Sequence, residues 1–184
     1  MRYDTIADIL SANKQVRKRF IATMAAISEE EAAIVPDGEK WSIRQIAEHL
    51  AMVDIGVARI CQKLLSESKI TGKMSNGSIA ISPQFQQLIL KIGDEKVEAP
   101  ERVQPTGKVS VSASVDRIIG NQINFDSMQQ DLETYDLTEA KFPHPYFGPI
   151  TAAEWLVVAG GHEHRHTKQI ERLLERIRRE KSPG

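Results

Sequence analysis

The sequence predicts an all-α four-helix bundle. Four long stretches repeat apolar residues at helical spacing, Pro- and Gly-rich breaks separate them, and sustained strand-type alternation is almost absent. At 184 residues the chain is expected to form one domain, 1–184, long enough to bury a core without disulfide or metal staples.

From Thr5 to about Ser28 the residues Ile6, Ile9, Leu10, Val16, Phe20, Ile21 and Met24 recur at roughly helical period, and Ser28 with Glu31 restarts a short turn. Pro36, Asp37 and Gly38 break the pattern. Trp41 follows in the place of a hydrophobic staple, and Ser42 with Gln45 forms a capping box for the strongest helix. In that helix Ile43, Ile46, Leu50, Val53, Val57, Ile60 and Leu64 give a seam at spacings of three and four.

Residues 68–81, rich in Ser, Gly, Lys and Asn, read as a loop, and Ser82 with Pro83 starts a short helix through about Ile92. Gly93 to Val111 holds Pro100, Pro105 and Gly107, too many breakers for a long element, although Lys108 to Ser112 alternates like a short extended piece. The pattern assigns no role to 93–112. Ser114 is expected to cap the third long helix, whose inner arc of Val115, Ile118, Phe125, Met128 and Leu132 is interrupted by Asn121 or Gln122. Phe142 to Pro149 carries three prolines and a glycine, a rigid aromatic loop with His144 expected exposed upon it. Thr151 with Glu154 caps the last helix.

Composition narrows the function classes. Net charge is formally −1 with both signs interspersed, so no nucleic-acid footprint is present, and the charged tail Arg172 to Lys181 reads as a solvated helix end. The chain has one cysteine, Cys61, on the apolar side of its helix, so it needs no oxidising compartment and the thiol reads as inert core. No apolar run approaches membrane-spanning length. A cytoplasmic protein acting on a small molecule, without nucleic-acid or membrane partners, is the expectation.

The chemistry gathers at His162-Glu163-His164-Arg165-His166. His162 and His166 stand at i and i+4, and the helical stripe Trp155, Ala159, His162, His166, Ile170, Leu173, Ile177 places both imidazoles on the core face, close enough to grip one metal ion. His164 lies about 200° around the helix from both and points elsewhere. An open catalytic metal site needs a third protein ligand. His49 qualifies, inside the buried arc of the second long helix and about two turns past its cap. Glu48, Asp54, Asn121, Gln122 and Asp126 are candidates to orient the ligands from behind, although Glu48, about 200° from Ile46, is expected to face solvent.

These residues resemble the DinB-like four-helix bundles, which include the bacillithiol and mycothiol transferases. The matching blocks are Lys40-Trp41-Ser42-Ile43-Arg44-Gln45-Ile46-Ala47-Glu48-His49-Leu50 and Phe147 to Trp155 leading into Gly161-His162-Glu163-His164-Arg165-His166-Thr167-Lys168-Gln169-Ile170. The resemblance implies a divalent metal, zinc or nickel, on His49, His162 and His166, in a bundle that forms a homodimer. It further implies an enzyme that activates a low-molecular-weight thiol for transfer to a small electrophile. A hydrolase of the same fold, or a non-catalytic metal-binding or stress-response protein, is the alternative, because one bundle hosts several activities.

Overall fold

The fold is that of a computed structural model, which describes residues 3–92 and 98–181. Four long helices carry it: α1 (Ile6–Ala25), α3 (Ile43–Thr71), α5 (Val111–Thr134) and α6 (Ala152–Lys181), with the short α2 (Glu29–Ala33) and α4 (Pro83–Ile92) between them. The predicted caps of α3 and α6 form. Ser42 and Gln45 bond reciprocally at the start of α3, and Thr151 with Glu154 does the same ahead of α6. Gly72 closes α3 in the left-handed conformation at φ 65°, where a side chain would be strained.

Two elements differ from expectation. α5 is capped by Ser110, whose hydroxyl accepts from the Ala113 amide, so Lys108 to Ser112 feeds a helix instead of a strand. Ser114 lies one turn inside, fully buried, its hydroxyl donating back to the Ser110 carbonyl. The alternation there was the start of the apolar arc of a helix. The aromatic loop contains a two-stranded hairpin, β1 (Phe142–His144) and β2 (Gly148–Ile150), in which Pro143 faces Pro149. Neither proline has an N–H to give, so the pair sits where the ladder can spare one.

Cross-helix contacts set the topology. From Asn13 to Arg17 to Arg19, α1 meets Leu156, Glu163 and Glu171 in rising order, so α1 and α6 run parallel. From His49 to Cys61, α3 meets His162 and then Ala152, so α3 and α6 are antiparallel. Asp54 bonds Asn121 and Lys69 pairs with Asp131, so α3 and α5 are parallel. Parallel neighbours need a crossover that travels back along the bundle. α3 is 29 residues long, which makes that return roughly 40 Å. The described residues between α3 and α5 make the journey: residues 98–110 of the segment with no role in the sequence pattern belong to the bundle's long return connection, and 93–97 lie outside the described residues.

The core forms two apolar clusters, one around Ile9, Leu64, Leu132 and Leu156, the other around Phe20, Ile46, Ile118 and Ile170. Between them lies a buried polar knot. Arg17, 8% exposed, bonds Asp54, reaches Glu163 Oε2 at 3.0 Å and gives a 2.9 Å hydrogen bond to Gln122. Asn121 closes it with a 2.7 Å bond to Asp54. Beside it α1 approaches α6 so closely at Gly160 that an added Cβ would stand 2.0 Å from Asn13 Oδ1, whereas Gly161 has open space.

Arg17→Met strands two buried carboxylates and should cost about 3 to 5 kcal/mol in urea unfolding. Gly160→Ala should lower the melting temperature by displacing Asn13 from the Leu156 carbonyl. Gly161→Ala should hold or raise it, by about 1 kcal/mol of helix propensity.

Candidate metal centre

Three imidazoles converge between the N-terminal end of α3 and the first half of α6. The ring centroids of His162 and His166 are 4.4 Å apart, and His49 lies 5.0 and 5.2 Å from them. One nitrogen from each can be chosen so that all three lie within 4.8 Å of one another. The structure therefore gathers the three histidines that the helical spacing singled out, and leaves His164 outside the cluster.

The outer nitrogens define the tautomers. His49 Nδ1 donates to the Val103 carbonyl at 2.7 Å, and His166 Nδ1 donates to Gln169 Oε1 at 2.8 Å. A nitrogen bonded to an acceptor oxygen carries the proton, so both rings turn a bare Nε2 lone pair inward. His49 Nε2 and His162 Nε2 are 3.1 Å apart. A shared proton can satisfy one such pair, while three convergent lone pairs suit a cation.

The surroundings keep the rings neutral. Burial pushes His166 down to about 4, helped by His49 and Arg165 and opposed by Gln169. Burial holds His162 well below the ordinary histidine range, with His166, His49 and Arg165 adding to it. Burial lowers His49 as well, against the Val103 carbonyl. Lone pairs are thus available at neutral pH, which is what metal ligation requires.

The groups behind the three histidines are not those expected. Asp54, Asn121 and Gln122 belong to the Arg17 knot, and Asp126 pairs with Lys14 at 2.9 Å. Glu48 does not face solvent. It is 3% exposed because the return connection covers that side of α3, and its carboxylate accepts from Thr106 Oγ1 and the Gly107 amide, both at 2.7 Å. Glu48 thus pins the strand of chain that carries Val103 to His49.

His144 departs from expectation too. It is half-buried, with Trp155 at 4.9 Å and Phe147 at 4.6 Å, and burial plus Arg102 lowers it to about 4. Its Nδ1 accepts from the Tyr146 amide at 3.2 Å. Trp41, placed as a staple, packs on the second core cluster and also lies 5.0 Å from His49. In front of the histidines opens a cavity of about 810 Å³, walled by α3, α6, the hairpin and the return connection, with Trp41, Trp155, His144 and Tyr146 in its lining.

A family model described as the DinB superfamily matches residues 12–170, which span the bundle and all three histidines. The chain belongs to the DinB superfamily. Among curated proteins this DinB chain is 27% identical over 164 residues to the uncharacterized protein YuaE of Bacillus subtilis (strain 168), covering 85% of this chain and 91% of that one. Among solved structures it is similar to TT2238, a four-helix bundle protein, at TM-score 0.56 and 21% identity, covering 91% of this chain and 99% of that one. At that identity the second likeness speaks for the fold.

Sequence reasoning passed over Gln169 and Val103. Gln169 was within reach, since it follows His166 by three and i, i+3 neighbours share a helix face. Val103 was not, because it acts through a backbone carbonyl. Gln169→Leu should weaken zinc binding by about 10- to 100-fold with the fold intact, as read by competition with a chromophoric chelator.

Proposed function

We propose that the protein is a metal-dependent enzyme that transfers a low-molecular-weight thiol to a small electrophile, with His49, His162 and His166 holding a zinc or nickel ion. The observation that carries this reading is the set of bare Nε2 lone pairs with no fourth donor gathered by the cluster among the described residues, facing a large cavity. A site with an unfilled side and room before it favours turnover over a closed structural or sensing site.

A divalent cation on three imidazoles supplies Lewis acidity that keeps a thiol or a water deprotonated at neutral pH. The chain's own residues do the rest. Val103 and Gln169 fix the ring orientations, burial keeps the imidazoles unprotonated, and the aromatic wall offers an apolar surface on which a substrate can be oriented. In the transfer the sulfur attacks the electrophilic carbon and a C–S bond forms. The bond to the leaving group breaks with its electron pair, and the thiol proton passes to solvent.

The sulfur comes from a bound small thiol. Cys61 is fully buried, its Sγ lies 3.8 Å from the Ala152 carbonyl, and burial pushes its thiol up to about 12, so it offers no thiolate.

Protein purified without a histidine tag should carry about one zinc or nickel per chain, and His162→Ala and His166→Ala should lose it while remaining folded. The loaded enzyme should conjugate bacillithiol, mycothiol or glutathione to a small electrophile, and Cys61→Ala should retain that activity. A sulfur-free hydrolysis product would assign the same centre to a hydrolase, and well-folded, metal-free wild-type protein would sink the proposal.

A further inference from the structure

The cavity before the histidines is one-sided in charge. Arg59, Arg102, Arg165 and Lys168 line it against one carboxylate among its lining residues, that of Glu98, which already pairs with Lys40 at 2.6 Å. The four cations are not equivalent. Arg59, Arg102 and Lys168 are exposed, whereas Arg165 is half-buried. It follows His162 by three residues on α6, the spacing of neighbours on one helix face.

The buried Arg17 makes a direct comparison. Arg17 has two carboxylates and an amide oxygen on its guanidinium. Arg165 has no carboxylate acting on it among the described residues, only the phenol of Tyr146, and its charge bears on all three histidines. A guanidinium stays charged, presents five N–H donors in a planar fork, and is costly to desolvate without acceptors. At the wall of a cavity, with no carboxylate among the described residues to occupy it, the fork keeps its donors available to an anionic group that enters in place of water.

We propose that the cavity binds a small organic anion, with Arg165 taking a carboxylate or phosphate group in a two-pronged contact and the apolar part of the molecule lying against the Trp41 and Trp155 side. This deepens the thiol-transfer reading and rests on it: the anion is one of the two substrates, and Arg165 sets which molecules are accepted. The carboxylate and phosphate forms share the forked recognition. The cavity volume of about 810 Å³ suits a molecule with a body as well as a charged end.

Both tryptophans of the chain line this cavity, so intrinsic fluorescence reports its filling directly. Titration with 4-phenylbutyrate, 3-phenylpropyl phosphate and the neutral 4-phenylbutyramide tests the proposal on metal-loaded and chelator-stripped protein. At least one anion should bind about tenfold or more tightly than the amide in both forms, and the better anion names the group. Arg165→Gln should remove the preference and leave amide binding in place. Should Arg165→Gln fail to fold, Arg165→Lys, which keeps the charge and loses the fork, should weaken the preferred anion severalfold.

Equal binding of anions and amide by wild-type protein would overturn the proposal. So would a preference that survives both substitutions, or one that disappears when metal is stripped, since the anion would then belong to the metal. Failure of the metal reading would look different: an intact, Arg165-dependent preference in protein that never holds metal.

Discussion

The structure turns on one buried charge cluster, Arg17 with Asp54 and Glu163. It joins α1, α3 and α6 directly and α5 through Asn121 and Gln122. Burial alone would pull the guanidinium down and push both carboxylates up. The carboxylates more than offset the first effect, while Asp54 and Glu163 stay raised. Such a cluster adds little net stability over apolar packing, but a misaligned version is severely penalised, so it selects one register. Glu163 follows His162 directly and Asp54 stands five residues beyond His49. The register that satisfies the charges is therefore the one that brings the imidazoles of α3 and α6 together.

The second constraint is topological. Because α3 and α5 run parallel, the chain must return along the bundle between them, and that return passes across the open face before the histidines. There it is tied down by Glu48 to Thr106 and Gly107, by His49 to the Val103 carbonyl, by the Tyr146 hydroxyl donating to the Glu98 carbonyl at 2.5 Å, and by Lys40 to the Glu98 carboxylate. One segment thus closes the topology, orients the His49 ring and forms a wall of the cavity. Three of these ties come from residues of the first matching block, Lys40, Glu48 and His49.

Much of this could be read from residues before any coordinates. Capping boxes and apolar periodicity place α1, α3 and α6 well, because both signals are local, and the three histidines emerge because their helix faces can be computed from spacing. What escaped was set by tertiary context. Glu48 looked solvent-facing because period alone cannot see a strap laid over a helix. The start of α5 was read one turn late because three serines near it compete as caps, and only Ser110 has the geometry. Arg17 carries no local signal of its role, since its two counter-charges lie on helices far away in sequence. His144 looked like an exposed loop residue because the proline-rich run did not announce a hairpin folded onto Trp155.

The bond from His49 to residue 103 is made to a peptide oxygen, and every amino acid offers that oxygen equally. Position 103 can therefore change its side chain, and with it the lining of the cavity, while the imidazole stays aimed. Glu48 anchors the same strap through the Gly107 N–H and the Thr106 hydroxyl, and that attachment does depend on sequence, since Gly107 sits at φ 74°, where a side chain would be strained. The bond that holds the His49 ring is made to backbone, and the cavity surface beside it is made of side chains, so that surface can diversify without disturbing the bond.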